Sequence, residues 1–101
     1  MTDAPVEITL GTVLVAARDQ VSTEVEGEAV ILSLADGVYY GLDGVGARVW
    51  ELLREPRSAA ALRDAVTAEF EVDAETAWRD LCALLDELAA RRLVEPAPQG
   101  G

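Results

Sequence analysis

The chain contains no histidine and no lysine, a single cysteine, five aromatic residues and no long apolar run. Each absence removes a class of function. Without histidine there is no Ser–His or Cys–His pair to activate a nucleophile and no His-ligated metal site. One cysteine, Cys82, closes no internal disulfide. Its i±4 neighbours, Trp78 and Asp86, offer no positive charge to stabilise a thiolate, so it reads as a structural thiol. The longest apolar runs fall far below the 18 or so residues that cross a bilayer, and no basic start precedes such a run, so a cytoplasmic chain without a membrane anchor is expected.

Positive charge is also scarce. Eight cations, all arginine, stand against nineteen carboxylates, giving a formal charge of −11 and a pI near 4.2. That field repels phosphates and argues against nucleic acid. Asp80, Asp86 and Glu87 on the last helix read as a solvated polar face. Gly41, Gly44 and Gly46 lack the Lys-Ser/Thr and the βαβ unit of a phosphate loop. No cofactor and no metal is implied.

What is present is an ordinary globular composition, half apolar, in 101 residues. That is enough for one core. The reading is a loose start over 1–11, one domain over 12–95 and a disordered tail over 96–101, marked by Pro96, Pro98 and the terminal glycines. Thr12–Ala17 is short, apolar and extended. Val21–Val25 alternates, and Glu26-Gly27 turns the chain into the apolar run Val30–Leu34. Asp36-Gly37 then turns it again into Val38–Leu42. A three-residue loop, Ala35–Gly37, places Leu34 opposite Val38, Leu32 opposite Tyr40 and Val30 opposite Leu42, so that all three pairs are apolar. On that register Tyr39 and Gly41 point away from the core, and Val38–Leu42 is the last strand of a three-stranded antiparallel meander.

Helical spacing follows. Asp43 is placed as N-cap of a helix carrying Val45, Val49, Trp50, Leu52 and Leu53 to about Arg54, where Pro56 stops it. Ser58 caps a second helix to about Phe70, and Asp73 caps a third from Ala74 to about Arg92. On the third, Ala77, Leu81, Leu84 and Leu88 adjoin a second stripe of Trp78, Cys82, Leu85 and Ala89. The combined arc of roughly 180° is wider than one packing face needs. The fold class is α+β: a three-stranded antiparallel sheet followed by three helices, as in a winged helix-turn-helix. Two uses of the second stripe stay open, burial between the other elements or a groove beside the free strand.

The run Gly37-Val38-Tyr39-Tyr40-Gly41-Leu42-Asp43, then Gly46-Ala47-Arg48-Val49-Trp50-Glu51-Leu52-Leu53, then Leu81, Leu84, Leu88 and Leu93-Val94, resembles the PqqD-like family of peptide-recognition elements. The likeness spans about Val21–Val94. It departs at Asp43, where the family usually has Asn, and at Arg92, where it often has Gly. The resemblance implies a non-catalytic domain that binds the leader segment of a ribosomally made precursor peptide and presents it to a modifying enzyme or leader protease. Lasso-peptide maturation and a radical-SAM pathway such as quinone-cofactor synthesis are both compatible.

Joined with the free strand, it points to a leader that adds as a further strand to Val38–Leu42. Val38, Tyr40 and Leu42 form the expected floor, and Trp78, Cys82, Leu85 and Ala89 the wall. Arg79 and Asp86 are rim charges, and Gly41, beside Tyr39, permits close approach. Two rivals remain. A winged-helix DNA-binding regulator conflicts with the charge, and an assembly protein would pair through the same edge, so the expected state is a monomer or an edge-paired dimer.

Overall fold

The computed structural model describes residues 8–97. Along the chain run β1 (Val13–Ala16), β2 (Gln20–Val25), β3 (Glu28–Ser33), β4 (Tyr39–Asp43), α1 (Gly44–Leu52), β5 (Arg57–Ser58), α2 (Ala59–Glu69), α3 (Ala74–Ala90) and β6 (Val94–Pro96). The fold is α+β with three helices, but it carries two small sheets where one was expected. The meander β2-β3-β4 is present. The extended Thr12–Ala17 segment belongs elsewhere: β1 is the centre of a second antiparallel sheet, between β5 and β6. This sheet gathers three distant parts of the chain. Val13 pairs with Ser58, and Leu14, Val15 and Ala16 pair with Pro96, Glu95 and Val94. The tail expected from 96 onward is therefore ordered at its first residues, since Pro96 pairs and Ala97 is buried, its N–H donating to the Val13 carbonyl at 2.9 Å. Positions 98–101 and 1–7 lie outside the described residues. At the other end Ala60 N–H bonds the Leu10 carbonyl at 3.0 Å, so the last part of the expected loose start is tied to α2.

The hairpin β3–β4 is shifted by one residue from the expected register. Ile31 faces Tyr40, Val30 faces Gly41 and Ala29 faces Leu42. The connection is the four-residue loop Leu34–Gly37. Ser33 N–H donates to the Val38 carbonyl at 3.0 Å, Val38 N–H donates to Asp36 Oδ1 at 3.0 Å, and Gly37 is left-handed at φ 71°. An aspartate that accepts from the amide two residues on is a turn-maker in its own right, and it closes this longer loop. Ala29 and Ile31 are consequently buried, while Leu34 and Val38, both assigned to the core from sequence, are exposed. Tyr39 and Gly41 still point away from the core. At the other hairpin Glu26 (φ 50°) and Gly27 (φ 81°) are both left-handed and Val25 pairs with Glu28. That is the two-residue turn whose twist matches flanking strands.

The helix signals are of unequal quality. Ser58 Oγ accepts from Ala61 N–H at 3.1 Å and Asp73 Oδ1 from Thr76 N–H at 2.7 Å, as N-caps do. Asp43 stands at the N-cap of α1 but makes no side-chain cap bond, and α1 ends at Leu52 rather than Arg54. At the far end of α3, Leu93 N–H reaches the Leu88 carbonyl at 2.9 Å and Arg92 N–H the Ala89 carbonyl at 3.0 Å. This is a Schellman closure, and it puts Arg92 in the left-handed position, φ 60°, that glycine usually fills. The departure from the family pattern at Arg92 is thus a place of backbone strain.

One core joins these parts. Trp50, Leu14, Ile31, Leu53, Leu62, Leu85, Leu93 and Val49 are its largest fully buried side chains. α1 lies against β3 and β4, while α3 lies against α2 and β6. Arg48 fastens α1 to α2 with a two-pronged bond to Glu69 at 2.8 and 3.0 Å, and pairs with Glu51 at 3.1 Å. These bonds hold the Arg48 pKa above, and the Glu69 pKa below, the ordinary values.

Candidate functional site

Among the described residues β4 has a partner strand on one side only, since the meander order is β2-β3-β4. Which of its amides are free follows from the ladder. Ser33 donates to Val38, so that pair is a hydrogen-bonded one, and such pairs alternate in an antiparallel sheet. Tyr40 and Leu42 therefore turn their backbone groups toward β3. Tyr39 and Gly41 turn theirs outward, to the open edge. Side chains alternate on the perpendicular axis: Tyr40 and Leu42 pack against the core, and Tyr39 is exposed on the other face. A Cβ built on Gly41 meets nothing within 4 Å, so the space over this residue is open.

The C-cap residue of α3, Arg91, reaches this strand. The Arg91 guanidinium stands over the Tyr40 ring, 4.9 Å from its centroid, and pairs with Glu87 at 3.4 Å. Its hydrogen bond with Tyr40, followed by the Glu87 charge, raises the Arg91 pKa. At 100° per residue, the side of α3 that carries Arg91 also carries Leu84, Glu87 and Leu88, whereas Trp78, Cys82 and Ala89 lie roughly 140° or more round the helix.

The residues expected to form one site are thus distributed. Tyr39, Tyr40, Gly41 and Leu42 stand together on β4, and Val38 precedes the strand. Trp78, Cys82 and Ala89 form a half-buried stripe, Arg79 and Asp86 are exposed, and Leu85 is fully buried within the core. Leu85 is therefore a packing residue in this state rather than an open wall. Burial, and secondarily the Asp86 charge, pushes the Cys82 thiol up, away from thiolate chemistry. Arg91, Glu87 and Leu84 were not assigned to the peptide site from sequence. No local pattern ties them to β4, because the Tyr40–Arg91 contact spans the whole helical half of the chain. A separate cavity of about 190 Å³ is lined by Glu24, Gly27, Gly44, Ala47, Arg48 and Glu51, where the one cation is already held by two carboxylates. No helix among the described residues is long and apolar enough to cross a membrane.

Comparison with known proteins agrees with this architecture. The family model for coenzyme PQQ synthesis protein D (PqqD) matches residues 28–94, and the chain belongs to that family. Among solved structures, the chain is 39% identical to TbiB1 in complex with the TbiA(beta) leader peptide, with a TM-score of 0.77 over 84% of this chain and 99% of that one. The fold recurs at 24% identity in a lasso peptide synthetase B1 complexed with its leader peptide, TM-score 0.73, covering 82% of this chain and 98% of that one. It recurs also at 19% identity in the solution structure of the PqqD part of Methylobacterium extorquens PqqCD, a stand-alone recognition element for ribosomally synthesised and post-translationally modified peptides. There the TM-score is 0.72, with 90% and 97% of the two chains covered. No curated protein sequence matches the chain.

Proposed function

We propose that this protein binds the leader segment of a ribosomally synthesised precursor peptide by adding it as a strand to β4, and delivers it to a separate leader protease in a lasso-peptide type of pathway. The observation that carries the reading is the open β4 edge next to the Arg91 side of α3 in a chain whose 39%-identical relative holds a leader peptide. The outward N–H and C=O groups of Tyr39 and Gly41 give affinity to any extended peptide, and side-chain pockets give selection among them. Tyr40 and Leu42 form the floor on the core side, and Leu84, Glu87 and Arg91 border it from α3.

The protein's role is to hold and not to react. Backbone pairing fixes an extended segment, which leaves the attached core peptide tethered and available to the enzyme. No histidine is present to activate a hydroxyl or thiol, and the only thiol has its pKa raised. A DNA-binding role would require exposed Asp86 and Glu87 of α3 to approach phosphates.

The test is a fluorescence titration of the purified protein with synthetic leader, accompanied by mass analysis of a full precursor incubated with the protein alone. Saturable binding with no mass change is expected. Cleavage or modification by the protein alone, or failure to bind any leader of its own pathway, contradicts the reading.

A further inference from the structure

A strand added to β4 meets a fixed cation on the groove side. Tyr40 turns its backbone groups toward β3, so with a leader antiparallel to β4 it forms a pair of the non-hydrogen-bonded kind. In such a pair the two Cα atoms are only about 4.5 Å apart and the side chains are at their closest. Directly opposed residues share a face of the sheet. The leader residue opposite Tyr40 therefore points to the α3 side, where the Arg91 guanidinium stands over the Tyr40 ring. Its two neighbours, opposite Tyr39 and Gly41, point to the other face.

Arg91 is anchored without being used up. Its amide closes on the Glu87 carbonyl at 3.1 Å and the Leu93–Leu88 bond follows, so the helix end holds its Cα in place. The Tyr40 ring positions the guanidinium. Glu87 engages Nη2 alone, at 3.4 Å, and the Arg91 side chain stays 45% exposed. A guanidinium presents five N–H donors in a planar fork, so donors remain for a further acceptor. The other ion-paired arginines, Arg48, Arg54, Arg57 and Arg63, are matched with Glu51 and Glu69, Glu24, Glu55 and Asp64, carboxylates of other elements.

The chemistry of the leader residue beside this cation follows from charge. An apolar side chain there would strip water from the N–H donors and return no hydrogen bond. Lysine or arginine would be repelled. A carboxylate gains charge-assisted hydrogen bonds in the fork geometry, while the field of a chain carrying −11 disfavours it at other places. We propose that the leader carries an aspartate or glutamate opposite Tyr40 and that Arg91 reads it, with exposed Glu87 giving up its place to the leader carboxylate. The inference rests on the function proposed above. Arg91 then selects the register as well as the peptide, because a slip of one residue carries the carboxylate to the other face.

The test is a fluorescence titration of the wild-type protein, Arg91→Glu and Arg91→Gln with the pathway's synthetic leader and with leaders in which each carboxylate is exchanged singly for its amide. Thermal melts confirm folding, and Arg91→Gln keeps the test open if the charge reversal does not fold. One exchange should weaken binding to the wild type about two- to fivefold and leave binding to Arg91→Gln unchanged. Arg91→Glu should weaken binding of the unaltered leader at least about tenfold, and arginine at that one leader position should recover most of the loss. The proposal is overturned by a leader that the wild type binds equally well after every exchange, by an exchange that costs the same in the wild type and in Arg91→Gln, or by a folded Arg91→Glu with wild-type affinity. Absence of saturable leader binding by the wild type removes the proposed function and this inference with it, whereas intact binding that ignores charge removes the inference alone.

Discussion

The two sheets of this protein are both three-stranded and antiparallel, yet they do different work. In β5-β1-β6 the strands are two to four residues long and are drawn from the start, middle and end of the chain. Leu14 in its central strand is 1% exposed, and the carbonyls of Leu53 and Leu93 are bonded by the amides of Ala16 and Ala17. This sheet is a clasp. In β2-β3-β4 the strands are consecutive and longer, and among the described residues one face is largely open and the β4 edge has no partner. Local pairing makes the meander cheap to close in entropy, so it can leave an edge and a face unsatisfied, while the clasp must bury what it joins. The clasp carries buried core contacts, and the meander carries the edge proposed for recognition.

That division is broken most severely by Leu14→Ala, which should cost about 2–5 kcal/mol because a fully buried leucine is removed from the point where three segments meet. Denaturant unfolding measures it. A loss below about 1 kcal/mol would mean that the clasp is not central to stability. Gly41→Pro attacks the other sheet. It deletes an amide that β3 does not use and fills the open edge, so folding stability should hardly change while leader affinity falls at least tenfold, about 1.4 kcal/mol. Equal losses of stability and affinity would erase the contrast between the sheets.

A smaller effect is expected at the end of α3. Arg92→Gly relieves the left-handed strain and should raise stability by about 1 kcal/mol, less the entropy glycine gains when unfolded, without altering leader affinity. Thermal melts read the first and titration the second. Arg91→Ala removes the cation over Tyr40 and should weaken leader binding about two- to fivefold, with the melting temperature little moved. The smallest effect is a pH dependence. The cap bond to Thr76 holds the Asp73 carboxylate below its ordinary pKa. Its contribution is present above the unfolded-state value, is lost as pH falls through the folded one, and should vanish in Asp73→Asn. A pH profile of α3 stability that is the same in both proteins would remove that cap from the account.

The order of the meander strands and the three helices, the positions of both hairpin turns and the Ser58 and Asp73 caps were legible because each depends on residues a few positions apart. The family motif was legible for the same reason. The hairpin register was not. The stretch Ala29–Leu34 is apolar at every position but Ser33, so alternation could not choose a face, and the choice fell to Asp36 and its bond to Val38. β5 and β6 were invisible because two residues, Arg57-Ser58, have no period, and Pro96 argues against a strand except at an edge, where it is found. On α3 the arc was read correctly as too wide, but burial is centred on Ala77, Leu81, Leu85 and Leu88. That moves Leu85 into the core and brings Arg91, which carries no periodic signal, beside Tyr40.

Amide hydrogen exchange of the protein with and without saturating leader tests strand addition at β4 most directly. Pairing buries an outward N–H in a ladder whose opening costs free energy. Exchange should slow at Tyr39 and Gly41 on leader binding and change little at Tyr40 and Leu42, which already face β3. No protection at Tyr39 and Gly41 under saturation, with protection appearing only along α3, would contradict strand addition and put the leader on the helix instead.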